Sequence, residues 1–190
     1  MARAGQEIDN PAMGARIRFC RVARDTGGSL LEFDFFLQPG GVVATDHLHP
    51  HQHERFEVLW GAMHGHVGGQ PHVVVAGEDS VVAAGVPHAW RNAGDGEAHL
   101  RVQFRPALDT EDMFEAVFAL AREGRTDHRG VPALPHRLAM LAAFPHEFRP
   151  AGMPRPVHRA LVVLFAPLGR RLRQRLGVER LERSGAVAPT

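Results

Sequence analysis

Between residues 17 and 104, apolar and polar positions change places about every second residue. Leu31, Phe33, Phe35 and Leu37 alternate with Glu32, Asp34, Phe36 and Gln38, the period of a strand with one face in a core. Short β-branched runs follow at 42–43, 73–75 and 81–82, with an apolar stretch at 100–104. Turn formers divide them: Pro39-Gly40-Gly41, Gly68-Gly69, Gly77-Glu78-Asp79 and Gly94-Asp95-Gly96. Many short strands at this spacing predict an antiparallel sandwich or barrel, not βαβ units.

After Pro106 the period becomes helical. Thr110 is placed to cap a helix whose first turn carries Glu111 and Asp112, matched to the positive end of the dipole. Phe114, Val117, Phe118 and Ala121 share one face, and Gly124 can close the C-terminus. A second helix is expected over 135–144, stopped by Pro145. Prolines 145, 150, 154 and 156 predict an extended linker, and a third helix is expected over 157–176 with a kink at Pro167. The expected organisation is a β-barrel with an N-terminal arm at 1–106 and a helical extension at 107–190.

Composition adds three points. The single cysteine, Cys20, excludes an internal disulfide, suits a reducing, cytoplasmic compartment, and reads as a small buried hydrophobe. The first residues have no apolar signal core, and no apolar run approaches a membrane span. Charge is divided: residues 1–148 hold 13 Arg against 19 acids, −6, and residues 149–190 hold 9 Arg against 2 acids, +7. The acidic first part argues against nucleic acid as a partner. In the basic tail, Leu161, Leu164 or Phe165, Leu168, Leu172 and Leu176 make an apolar stripe. The favoured reading docks this stripe on the barrel or on a second subunit. Membrane-surface contact with anionic lipid is the rival.

The chemistry concentrates in GVVATDHLHPHQHERFEVLWG, residues 41–61. His47 and His49 are two apart, so on a strand both imidazoles take the same face. Pro50 turns the chain through residues 51–53, and Glu54 opens a returning strand, bringing a carboxylate opposite two histidines. His88, in GVPHAWRN, can add a fourth ligand from the next hairpin. Imidazoles with one carboxylate suit one divalent transition metal (Fe, Mn, Ni, Co or Zn) rather than Ca or Mg. Four protein ligands on an octahedral ion leave two positions open. His51 and His53 read as exposed turn residues, His51 being the better candidate for a supporting role. His64 and His66 read as outward-facing, opposite Met63 and Val67. Phe56 is in phase with Glu54 and Trp90 with His88, so both should line the interior. Gly65, on that inward face, either leaves room for a ligand or marks a bulge.

These spacings resemble the cupin family. Gly41, His47, His49, Glu54 and Gly61 match its first motif at every interval. Gly77, Gly85, His88 and Asn92 match its second, with Ala83 where proline is usual, a change at a turn. The resemblance implies a mainly β, antiparallel jelly-roll barrel with the metal inside and, by default, a homodimer. It implies a metal-dependent protein: an oxidoreductase of the dioxygenase kind, an isomerase or lyase, or alternatively a non-enzymatic small-molecule-binding or sensor cupin. Glu54 takes the catalytic role that some members give this carboxylate, proton acceptor. The expected substrate pocket (Phe35, Phe56, Trp90, Phe104) would favour a small hydrophobic or aromatic organic ligand.

Overall fold

The structure is a computed structural model describing residues 2–175, the side chain of Ala44 excepted. Ten strands, with a 3-10 turn of helix at Ala23–Thr26, precede the first α-helix: β1 Glu7–Asn10, β2 Ala15–Arg21, β3 Leu31–Leu37, β4 Val42–Leu48, β5 His53–Trp60, β6 Ala62–Val67, β7 Gln70–Val75, β8 Asp79–Val82, β9 His88–Asn92 and β10 Ala98–Arg105. Helices α1 Thr110–Arg122 and α2 Leu134–Ala143, the two-residue strand β11 Arg149–Pro150 and helix α3 Arg155–Arg175 follow. One antiparallel sheet has the order β1-β2-β3-β10-β5-β8, the other β11-β4-β9-β6-β7. These two antiparallel sheets are the sandwich that the alternation predicts, in keeping with the jelly roll that the resemblance implies, and α1 to α3 form the expected C-terminal helices.

Alternation decides which side chains enter the core. Phe33, Phe35, Phe56, Met63, Trp90, Leu100 and Phe104 are buried in one cluster, with Phe118 reaching in from α1. A smaller cluster of Ala116, Ala139, Ala143, Phe144 and Leu172 joins the three helices. There α3 crosses α2 at Gly169, where even a methyl group would stand 2.8 Å from the Ala143 nitrogen. Leu168 and Leu172 pack at this crossing, whereas Val163 and Leu164 face outward, 76% and 68% exposed. Phe165, half-buried, therefore carries the stripe rather than Leu164. Leu176 lies outside the described residues. Pro167 lies inside α3, and no described helix is long and apolar enough to cross a membrane.

Several local expectations are corrected. Thr110 does not cap α1: its hydroxyl accepts a hydrogen bond from Gln52 Nε2 at 2.7 Å, and the cap position falls on Asp109. Glu111 is buried with Oε2 accepting the Ala23 amide at 2.8 Å, and burial pushes Asp112 up to about 7. Both acids therefore serve packing as well as the dipole. Cys20 is half-exposed, because its neighbour Phe19 takes the inward face of β2. Gly65 opens no space for a ligand. The Trp90 ring lies against it, and a Cβ there would meet Ala89 O at 2.0 Å and Trp90 Cε3 at 2.6 Å. The proline-rich linker contains β11, which pairs with β4.

On the outer face of the larger sheet, Arg18, Asp34 and Arg101 are cross-strand neighbours. The Asp34 carboxylate is fully buried and bonds Arg18 and, at 2.6 Å, Arg101 Nε. Burial alone would raise the Asp34 pKa, but the two guanidinium bonds outweigh it and hold the carboxyl below its usual range. A depressed folded pKa adds stability above the unfolded value of about 3.9, and that stability is lost as pH falls through the lower folded value. Asp34→Asn is therefore expected to be less stable than wild type at pH 7, with a narrower gap at pH 3. Urea midpoints at the two pH values check this; an equal gap at both would contradict it.

Candidate metal centre

His47 ends the useful length of β4 and is the cross-strand partner of His88, the first residue of β9. His49 follows directly after β4, and Glu54 is the second residue of β5. Three imidazoles thus come from the smaller sheet and the carboxylate from the larger, so the cluster joins the two sheets across the core. All four residues are buried, and one ligand atom from each lies within 4.8 Å of the others.

Backbone carbonyls fix the ring orientations. His47 Nδ1 meets Thr45 O at 2.9 Å, His49 Nδ1 meets Glu147 O at 2.6 Å, and His88 Nδ1 meets Val86 O at 3.0 Å. Each Nδ1–H therefore donates outward, which leaves Nε2 as the lone-pair atom facing its fellows. His49 Nε2 and His88 Nε2 stand 3.2 and 2.9 Å from Glu54 Oε2, but neither is aligned as a hydrogen bond. Buried polar atoms normally have partners, so convergent, unpaired nitrogens around a carboxylate fit a cation shared by all four. The backbone supports this placement. Gly85, at φ +80°, donates its amide to His49 O at 2.8 Å and so ties the turn before His88 to the other ligand strand. Ala83 keeps that turn, accepting from the Val86 amide at 3.2 Å. Asn92, the last motif residue, is structural: its Nδ2 donates to Leu37 O and Gly96 O.

The electrostatics favour the ligand states directly at His47 and Glu54, whereas at His88 a metal would have to displace the proton that Glu54 favours. Burial pushes the His47 pKa down to about 3, helped by the two neighbouring imidazoles, so it is neutral at any ordinary pH. Burial would raise the Glu54 pKa, but His49 and His88 overcome it and keep the carboxylate ionised. Burial likewise opposes charge on His88, and Glu54 more than offsets it, raising the imidazole. An anionic carboxylate among basic nitrogens is the donor set of a divalent metal.

His47, His49 and Glu54 of the cluster lie in the wall of a cavity of about 530 Å³. Phe35, Phe56, Trp90 and Phe104 all line it, as their phase along the strands requires. Sequence reasoning missed the other half of the wall, which belongs to the extension: Phe114 and Phe118 of α1, Leu141 and Phe144, and Phe148. Phe148 stacks on His47, with ring centroids 5.3 Å apart. The helical spacing of Phe114 and Phe118 was visible; that Phe148, isolated among prolines, would face a histidine was not. His51 and His53 are exposed as expected, but only His51 lies in the turn, His53 being the first residue of β5; His51 approaches His146, not the cluster. His64 and His66 lie on the outer face, where His66 Nε2 bonds Asp46 at 2.7 Å.

The cupin domain family matches residues 33–104. No curated protein matches the chain. Similar solved structures include a sugar phosphate isomerase of the cupin superfamily from Silicibacter pomeroyi, 26% identical, covering 50% of this chain and 62% of that one, TM-score 0.43. An RmlC-like cupin from Shewanella frigidimarina is 21% identical over 55% of this chain and 86% of that one, TM-score 0.47. A predicted oxalate decarboxylase from Thermotoga maritima is 19% identical over 56% and 98%, TM-score 0.48. The match spans less than two thirds of the Silicibacter protein.

Proposed function

We propose that this chain, whose residues 33–104 are a cupin domain, is a metal-dependent enzyme acting on a hydrophobic organic molecule, with dioxygenase chemistry as the specific reading. One observation carries the proposal: three imidazoles and an ionised carboxylate converge, buried, and His47, His49 and Glu54 of this set line a large and mostly apolar cavity. A purely structural metal site would be closed off from such a space.

His47, His49, Glu54 and His88 would hold the ion, and an iron or manganese ion would supply Lewis acidity and access to dioxygen. The remaining work falls to the protein. The aromatic walls exclude water and position an apolar substrate. Glu54, kept ionised and pinned between two histidines, is the base available to take a proton from a substrate hydroxyl or activated carbon.

Fe(II)- and Mn(II)-loaded protein, screened with phenols and diketones with and without oxygen, tests this. Turnover is expected to fall by about 100-fold or more in Glu54→Gln at matched metal content. Tight ligand binding without product for any metal would instead support a sensor.

A further inference from the structure

Asn10 ends β1 and is completely buried. Its orientation is set by two donors, the amides of Ala12 and Met13, which reach Oδ1 at 3.2 and 3.3 Å. The Nδ2 amino group has no acceptor within the protein. It is directed toward Gly130 and Met13: a Cβ built on Gly130 would lie 3.2 Å from Nδ2 and 3.3 Å from Met13 Sδ. Asn10, Met13 and Gly130 all belong to the wall of the same cavity that the metal cluster faces. A buried amide group without its hydrogen bond is destabilising, and native proteins rarely keep one without a use.

Two cations line the same cavity. Arg129 precedes Gly130, and Arg137 lies on the first turns of α2; both side chains are exposed at the edge of the cavity they line. Neither guanidinium has an ion-pair or hydrogen-bond partner among the described residues. The two carboxylates of the connection between α1 and α2 are engaged elsewhere: Glu123 pairs with Arg125 and Arg175, and Asp127 Oδ1 accepts the Arg129 and Val131 amides at 2.9 Å.

Sheet register places this corner far from the metal cluster. Asn10 pairs with Ala15, Ala15 with Leu37, and Leu37 with Ala98, whereas Glu54 pairs with Phe104. Six residues of β10 separate the two rows, about 20 Å along the strand. Residues of both corners line the one cavity, whose remaining wall is mostly apolar.

We propose that this end of the cavity is an anion subsite, and that the ligand is an elongated hydrophobic carboxylate. The Asn10 amide and the Arg129 and Arg137 guanidinium groups hold its carboxylate, and its other end reaches the four-residue cluster. The acid group is then the anchor, and the chemistry falls on carbon remote from it. This rests on the cavity being the substrate site, and the test keeps the two ideas apart.

Palmitate and hexadecanol share a chain and differ in the head group. Their binding is read from Trp90 fluorescence in a Trp60→Phe background, Trp60 being exposed and Trp90 in the cavity wall. Palmitate is expected to bind at least about 10-fold more tightly than hexadecanol. Asn10→Asp keeps the acceptor that holds Ala12 and Met13 but replaces the donor with a negative charge. It should lose that preference, as should the surface variant Arg129→Gln/Arg137→Gln, with hexadecanol affinity unchanged in both. Equal affinity for acid and alcohol in the parent protein, or a preference that survives both variants, overturns the subsite and leaves the apolar cavity standing. Binding of neither probe overturns the cavity reading and the subsite together.

Discussion

Replacing His88 with alanine is expected to lower the affinity for a divalent transition metal by more than about 100-fold, and His49→Ala to do the same, whereas His64→Ala leaves it unchanged. Loss of a residue that merely orients a ligand already costs roughly 10–100-fold, and these two histidines supply ligand atoms themselves. Deleting either also strands its partner. Glu54 is buried, and its ionised state depends on His49 and His88. His64, half-buried on the outer face of β6, serves as the control for general effects of removing an imidazole. Metal titration of the three variants decides the matter; stoichiometric, tight binding in both ligand variants would show that the cluster is not the site.

The second large effect should follow from ending the chain after Glu147. The tail is expected to contribute to both stability and metal binding, because it is built into the site. Arg149 and Pro150 pair with Leu48 and His47, Phe148 stacks on His47, and Leu161 lines the cavity. Leu172 packs against the helix cluster, and Arg173 Nη2 reaches the Ala143 carbonyl at 2.6 Å and Asp109 at 2.8 Å. A fully buried Leu or Phe contributes about 1.5–3 kcal/mol, so packing outweighs the salt-screened attraction between the acidic and basic parts. The truncated protein should melt earlier and expose apolar surface. It should also bind metal more weakly, although Glu147, whose carbonyl holds His49, remains. Thermal melts and metal titration of the two forms measure this. An unchanged melt, with binding of the full chain to anionic vesicles that salt abolishes, would favour the lipid reading of α3.

The sequence makes the sheets legible because alternation and turn residues are local signals. It makes the four-residue cluster legible because His47 and His49 share a strand face and the hairpin returns Glu54 opposite them. What it conceals depends on contacts between distant segments. The hydroxyl of Thr110 has the right position for a cap, yet Gln52, 58 residues away, claims it. Phe148 looks like a linker residue until β11 pairs with β4 and turns it onto His47. Gly65 suggests space, and only the cross-strand pairing with Trp90 fills it. Asn10 gives no signal at all in the sequence: its unpaired amide becomes visible only when the loop at Gly130 closes over it. One strand face and one hairpin therefore locate the cluster, while half of the cavity wall waits on tertiary structure.

The most direct test of the central claim is a crystal of the Mn(II)- or Fe(II)-loaded protein, with diffraction recorded at the metal's absorption edge. The account predicts one anomalous peak per chain, within about 2.0–2.3 Å of Nε2 of His47, His49 and His88 and of a Glu54 carboxylate oxygen. A fully loaded crystal whose peak lies elsewhere, or a protein that takes up no metal at all, would contradict it.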